Sequence, residues 1–440
     1  MRTALAAWLL AVAAAPAQTG AALHALVARY EAFGFRGAVL VAKGAKALLE
    51  RGYGGDAADQ FFEIASITKS FTAAAILKLR DQQRLGLDDP IAMHLPGVPE
   101  HSRAITIRHL LSHTSGVPGS NTKGRGDDLE DAVRDFLGDG PVRAPGSQWE
   151  YWNGGFALLA GVVERCSGRR FEDYLRQELF VPAGMTDSGF TGCDWLDAAR
   201  AAAADGRTAL EHPYGSYGFQ YKGMGGLVTT VGDLRKWDRA LAAGTVLAPA
   251  TQKEMFAPVI AARGAQQYAL GWFVWEDGGV HRQQHGGSVR GFLSDFRRLP
   301  ERDACIAVLH NGHDRIVPYV VENLEDLLLG REPRHVLPPE VPTVAAAALR
   351  RCEGTFRRVD GLEVTIRADG ERLLADSADE KALIALVGVR GDGLQGPLVL
   401  RATAADTFVH FAWYGSCQLA FTGKKQATRF EVGGKAWVRR

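Results

Sequence analysis

Ser66 and Lys69 stand three residues apart in the stretch Phe62-Glu63-Ile64-Ala65-Ser66-Ile67-Thr68-Lys69-Ser70-Phe71-Thr72-Ala73-Ala74-Ala75-Ile76-Leu77. On a helix, side chains three apart share a face, so the Lys69 amine can lie over the Ser66 hydroxyl. From Thr68 onward the residues are helix formers with apolar side chains all round, the pattern of a helix buried in a large domain. Burial disfavours a charged lysine and lowers its pKa, so Lys69 can take the serine proton. The Ser66 amide sits at the positive end of that helix, where a developing oxyanion is stabilised. The spacing alone is weak evidence, because a serine N-cap with a snorkelling lysine satisfies it equally well. A second copy, Ser120-Asn121-Thr122-Lys123, lies in a Gly- and Asp-rich segment with no apolar helix behind it. It reads as a solvated turn.

Two further motifs supply what the pair lacks. Tyr151-Trp152-Asn153 follows Pro145-Gly146 and precedes Gly154-Gly155. A tyrosine on a short turn can reach a serine-lysine pair from the side. Positive neighbours would lower its pKa and let it relay a proton between Ser66 and a leaving group. Asn153 offers both a donor and an acceptor, to Lys69 or to a substrate amide. Trp152 would wall the pocket or favour an apolar acyl group. The run His285-Gly286-Gly287-Ser288 ends a strand-like pattern. Its glycines let a substrate backbone approach closely. The Ser288 amide could be the second oxyanion donor, and His285 could bind a carboxylate or adjust the tyrosine. His310-Asn311-Gly312 also fits His-x-Gly, but it follows a strongly apolar strand and reads as its terminator.

Ser66-x-x-Lys69, Tyr151-x-Asn153 and His285-Gly286-Gly287 occur in the order of the serine β-lactamase and penicillin-binding protein superfamily. The chain resembles most its branch of class C β-lactamases, D-alanyl-D-alanine carboxypeptidases, D-aminopeptidases and esterases. Leu110 to Gly116, Pro145-Gly146 and Gly223-Met224-Gly225-Gly226-Leu227-Val228-Thr229-Thr230 also look like that family, and the resemblance runs from about Leu23 to Leu329. It implies that Ser66 is the acylated nucleophile and that Lys69 and Tyr151 share the proton work. It places Asn153 against substrate or Lys69, and the oxyanion between the Ser66 and Ser288 amides. His285 takes the place of the lysine in the Lys-Thr-Gly form, as is usual in peptidase and esterase members. A fixed cation for a β-lactam carboxylate is then missing unless His285 is protonated.

These motifs need elements to hold them. A helix is expected over Ala21 to Phe33, strands over Gly37 to Ala42 and Ala45 to Gly52, and the Ser66 helix up to Gly86. Helices follow at Ile105 to Gly116, Leu129 to Leu137, Ala157 to Cys166 and Phe171 to Leu179. Strand patterns return at Tyr268 to Trp275, His281 to His285, Gly291 to Leu299 and Asp303 to His310, before a closing helix at Val317 to Leu329. Early strands, a helical middle and late strands imply one sheet whose first and last segments pair. The expected fold class is α/β: a three-layer β-lactamase/transpeptidase-like core, an antiparallel sheet flanked by helices with a helical subdomain. Gly330 to Thr343 holds four prolines and reads as a linker. Five short alternating runs after it suggest a small all-β domain, such as a barrel. The expected units are a leader at 1–17, a hydrolase domain at 18–330, a linker at 331–345 and a β-rich domain at 346–440. The last would narrow the cleft or bind a partner.

Arg2, the apolar run Leu5 to Ala15 and the small-x-small site Ala15-Pro16-Ala17 fit a secretory leader, so a periplasmic or secreted protein without a stable membrane anchor is expected. Export would permit disulfides among Cys166, Cys193, Cys305, Cys352 and Cys417, with Cys166–Cys193 and Cys352–Cys417 as candidate pairs and an odd count that leaves at least one free in a monomer. A formal net charge of +1 offers nothing to a nucleic acid. No His-Glu-x-x-His, P-loop or dinucleotide-binding glycine pattern occurs, so neither a metal nor a cofactor is expected. The absence of Gly-x-Ser-x-Gly argues against an α/β-hydrolase. The expected activity is cleavage of an amide or ester, in a small molecule or short D-residue peptide, through an acyl-enzyme. Cell-wall peptides are among the candidate contacts. A β-lactamase, a sensor that never turns over and an acyltransferase are the alternatives.

Overall fold

A computed structural model describes residues 19–119, 127–215, 217–312, 316–339, 341–387, 397–412, 415–423 and 425–440. The leader pattern and the second Ser-x-x-Lys lie outside the described residues, as does the Cys417 side chain.

The core is an eight-stranded antiparallel sheet. In spatial order its strands are Lys46–Tyr53, Gly37–Lys43, Ala304–His310, Phe292–Leu299, Val280–Val289, Phe273–Asp277, Gln266–Tyr268 and Ile260–Arg263. The early and late strands pair as expected, with Gly37 opposite His310 and Lys43 opposite Ala304. The strands Gly37–Lys43 and Ala304–His310 are almost wholly buried because both faces are covered, which is why they read as continuous apolar runs. Helices Gly20–Glu31 and Val317–Leu328 cover one face around Leu26, Tyr30, Val39, Ile306 and Val320. The other face packs on the helical region, centred on helix Thr68–Asp81 and helix Asn153–Ser167.

The expected strand Tyr268 to Trp275 is two strands, broken by Ala269 to Trp272, where Gly271 takes φ +78°. A Cβ on Gly271 would lie 2.7 Å from the Ala73 methyl, so the break brings the sheet onto the Ser66 helix. Strand Ile260–Arg263 carries no clear alternation and was not expected from the pattern.

Residues 331–339 are not loose. Arg334 Nη2 and Nε donate to Asp326 at 2.7 and 2.8 Å, and Arg29 Nε donates to the Pro338 carbonyl at 2.6 Å. Beyond them eight strands form a closed barrel, from Gly354–Arg358 to Lys435–Arg439, sealed by pairing Phe356 with Arg439. Its interior is filled by side chains, among them Phe356, Leu373, Leu400, Phe408 and Trp437. Arg401 of the barrel donates to the Ala32 carbonyl, at the end of the first helix. Cys166, Cys193, Cys305 and Cys352 carry free thiols, so Cys166 and Cys193 do not pair. No described helix is long and apolar enough to cross a membrane.

Candidate active site

The chain enters the site through a strained turn. Ala65 holds φ +45°, unusual for a residue with a side chain, and Ser66 sits in the single 3₁₀ turn Ala65–Ile67 that opens into helix Thr68–Asp81. All of Thr68 to Leu77 is buried, as the apolar pattern required. Lys69 is 0 % exposed. Its Nζ lies 2.9 Å from Ser66 Oγ and 2.9 Å from the Met224 carbonyl oxygen. Burial drives its pKa well below the ordinary lysine value. A neutral amine can donate to the Met224 carbonyl and accept the Ser66 proton, which this geometry satisfies. The glycine-rich segment around Met224 is held to the same helix, since Thr72 Oγ1 donates to the Gly223 carbonyl at 2.7 Å and Leu227 N–H donates to Thr68 Oγ1 at 3.2 Å. A Cβ on Gly223 would lie 2.5 Å from the Phe156 carbonyl, and its φ is +74°. That motif therefore carries the backbone acceptor that positions the lysine.

Tyr151 is hydrogen-bonded to Ser66, and Lys69 Nζ lies 5.0 Å from its ring centroid. Its pKa moves opposite to the sequence expectation. Desolvation raises it, and the Ser66 hydrogen bond and the Arg263 charge only moderate the rise. Tyr151 is thus a protonated phenol, a donor rather than a base. His113 holds the turn, because its carbonyl accepts from Glu150 N–H at 2.9 Å and its Nδ1 accepts from Trp152 N–H at 3.1 Å. The residues on either side of Tyr151 are thereby held by one residue, itself at φ +57°. Trp152 does not wall the pocket. It is 2 % exposed and packs edge-on to Phe136 in the helical core. Alternation across the turn sends Tyr151 to the cleft and its neighbour inward. Asn153 opens helix Asn153–Ser167 and lines the cleft.

Ser66, Tyr151, Asn153 and the run His285 to Ser288 line one cleft of about 660 Å³, with Lys69 beneath its floor. The run lies in strand Val280–Val289, whose partner Phe273–Asp277 stops opposite Gln284. Residues 285–289 therefore pair only with Phe292–Leu299 and present an edge to the cleft. His285 is 2 % exposed. Burial, then the nearby Lys69, pushes its pKa down to about 3. It is a neutral imidazole, not a cation. Its Nδ1 lies 2.7 Å from the Gly286 carbonyl, which can only accept, so Nδ1 carries the proton. Nε2 then accepts from the Tyr268 hydroxyl at 3.2 Å.

Three cleft features have no motif. Arg263 is exposed at the rim, 5.3 Å from the Trp149 ring and 5.7 Å from the Phe273 ring. Tyr268 fixes the His285 tautomer. Asp295, opposite Gly286 in the register, faces the cleft from the second strand. The described lining comes from residues between Ser66 and Glu322, and no described residue of the barrel is among it. Among the described residues no cluster of three His, Cys, Asp or Glu side chains could hold a metal.

A family model described as Beta-lactamase matches residues 23–331. The chain is 25 % identical over 386 residues to penicillin-binding protein 4* of Bacillus subtilis (strain 168), covering 79 % of this chain and 85 % of that protein. Its structure is similar to the octameric penicillin-binding protein homologue from Pyrococcus abyssi, with TM-score 0.62, 21 % identity, and 95 % and 99 % of the two chains covered. At that identity the likeness concerns the fold, barrel included. It is also similar to a D-stereospecific amidohydrolase from Streptomyces sp., with TM-score 0.53, 26 % identity, and 67 % and 94 % covered.

Proposed function

The chain belongs to the Beta-lactamase family, and from that premise we propose that this serine hydrolase cleaves a small amide or ester, a D-residue peptide or ester rather than a β-lactam. The observation that carries the reading is the buried Lys69 amine, 2.9 Å from the Ser66 hydroxyl oxygen that Tyr151 also engages. Neutral Lys69 takes the Ser66 proton as Oγ attacks the carbonyl carbon. The oxyanion that forms is held by the Ser66 and Ser288 amides. Tyr151, kept protonated by burial, gives its proton to the departing nitrogen or oxygen and regains one from Lys69. Water then attacks the acyl-enzyme carbonyl, Lys69 takes its proton and returns it to Ser66 Oγ as the ester bond breaks, and the acid leaves.

The substrate preference rests on charge. A neutral His285 offers no fixed cation to the carboxylate of a β-lactam. Similarity to a D-stereospecific amidohydrolase supports an amide of a D-residue. Export is part of the proposal and rests on Arg2, Leu5 to Ala15 and Ala15-Pro16-Ala17.

The test is a panel of D-residue peptides, p-nitrophenyl esters and a chromogenic cephalosporin, run beside Ser66→Ala. Turnover of the first two with little of the third, and none in the variant, is expected. A mass shift confined to Ser66 should be trapped with a slow ester. Full activity in Ser66→Ala would end the proposal.

A further inference from the structure

One carboxylate in the cleft has an oxygen that no protein group hydrogen-bonds. Asp295 is 7 % exposed. Its Oδ2 accepts from Gln284 Nε2 at 2.6 Å, while its Oδ1 is buried with no hydrogen-bond partner. Arg297 Nε stands 3.8 Å from Oδ1, beyond hydrogen-bond reach. Arg297 hydrogen-bonds to Glu325 instead, its Nη1 meeting Oε2 at 2.5 Å, while its Nε stays in ion-pair range of Asp295. Arg282 ends on the same glutamate at 2.6 Å. Glu322, on the helix over this end of the cleft, pairs with His335 at 2.5 Å. Arg282 thus answers Glu325, Arg297 is shared between Glu325 and Asp295, and Asp295 Oδ1 keeps no hydrogen bond. A buried carboxylate oxygen without a donor costs free energy that a bound donor would recover.

The way to that oxygen is open because of a glycine. Asp295 lies opposite Gly286 in the register, so the two share a face of the sheet. A Cβ on Gly286 would lie 3.4 Å from Gln284 Nε2 and 3.9 Å from Asp295 Oδ2. The Gly286 φ is not in the left-handed region, so nothing in its conformation demands a glycine. The missing side chain instead leaves the acid uncovered toward the strand edge where substrate lies.

We propose that Asp295 is the charge-reading subsite of this cleft and takes the primary ammonium group of the substrate, so that the acyl donor is an amide, ester or short peptide carrying a free amine. The inference rests on the serine-hydrolase reading and specifies its substrate class. Burial raises the Asp295 pKa to about 6, so the group is ionised at neutral pH. It is protonated as the medium becomes mildly acidic, and an ammonium ligand would hold it ionised. A carboxylate-bearing substrate would be repelled at the same place.

The experiment compares D-alanine p-nitroanilide with its N-acetyl form on the full-length protein. Wild type should favour the free amine by about 10- to 100-fold in kcat/KM, the worth of one charge-assisted hydrogen bond. In Asp295→Asn that ratio should collapse toward one. Gly286→Thr, which covers the acid, should lower the same ratio. In wild type, KM for the free amine should rise below about pH 6 while KM for the acetylated form does not follow. That measurement decides if Asp295→Asn fails to fold. A wild-type ratio of one, or a ratio unchanged in a folded Asp295→Asn, overturns the ammonium subsite. Persistence of both activities in Ser66→Ala instead overturns the hydrolase reading beneath it.

Discussion

Gly287 and Ile64 meet so closely that a Cβ on Gly287 would lie 2.1 Å from the Ile64 carbonyl oxygen. The same carbonyl accepts from Ser294 Oγ at 3.0 Å. The strand edge and the turn before the nucleophile are therefore one packed unit, and Ser66 is only two residues beyond the contact. Gly287→Ala must push the turn aside, because its obstacle is backbone. We expect a stability loss of about 1–3 kcal/mol from overpacking. A fall in kcat/KM of about 100-fold should accompany it, as Oγ leaves its line of attack. Urea midpoints and ester kinetics check both. A variant as active as wild type would show that the turn can yield.

In the proposed mechanism Lys69 is the base only while neutral. Arginine at this position stays charged at every working pH, so Lys69→Arg should lose about 100- to 10,000-fold in kcat/KM even if it folds. The wild-type rate should rise with pH through an apparent pKa well below that of free lysine, since burial favours the neutral amine. Below that pKa the amine is protonated and activity falls. A pH–rate profile that climbs only near the free-lysine value would remove Lys69 from the base role.

In the proposed mechanism Tyr151 acts as an acid. Tyr151→Phe removes the proton that a poor leaving group needs. Loss of about 100-fold or more is expected on an amide. A p-nitrophenyl ester leaves without that proton and should suffer much less. The amide-to-ester ratio of kcat/KM is the measurement, and equal losses on both would assign Tyr151 to positioning alone.

The parts of this site visible in the sequence were those carried by neighbours in the chain. Ser66 and Lys69 share a helix turn, and the apolar run after Thr68 announces its burial. The pairing of the first strands with the last follows from the order of elements, and the structure adds its register, Gly37 opposite His310. Spacing cannot report a partner distant along the chain. The Met224 carbonyl beside Lys69, the His113 clamp on Tyr151 and the Tyr268 hydroxyl on His285 all join remote segments. The Tyr151 pKa departs from what its local charges imply for a related reason: burial by distant segments outweighs them. Trp152 was misplaced because a turn hides which of two adjacent aromatics faces inward.

The barrel offers a test of independence. Its apolar core is separate from the two cores of the sheet domain, and no described residue of it lines the cleft. Removing residues 346–440 should leave kcat and KM on small esters unchanged, because the catalytic unit keeps its own packing. A shift in KM on every substrate would show that the barrel reaches the cleft after all.

His285 makes the stability of this fold depend on pH in a definite direction. Unfolded, the imidazole takes a proton below about 6.5; folded, burial and Lys69 delay it to about 3. Between those values the unfolded chain binds one more proton, so acidification favours unfolding. The contribution is fully present above pH 6.5 and is lost as pH falls toward 3. One such group gives a slope of about 1.4 kcal/mol per pH unit within that window. His113, also buried and depressed, adds in the same sense, while carboxylates contribute their own slopes. The difference between two proteins isolates one group. His285→Gln keeps an acceptor for the Tyr268 hydroxyl but cannot titrate. Its urea midpoint should fall less steeply than wild type between pH 6 and pH 4, with the curves parallel above pH 7. Identical slopes would mean that His285 accepts its proton in the folded state. The site would then hold a cation in acid, and the argument against a β-lactam carboxylate would fail with it.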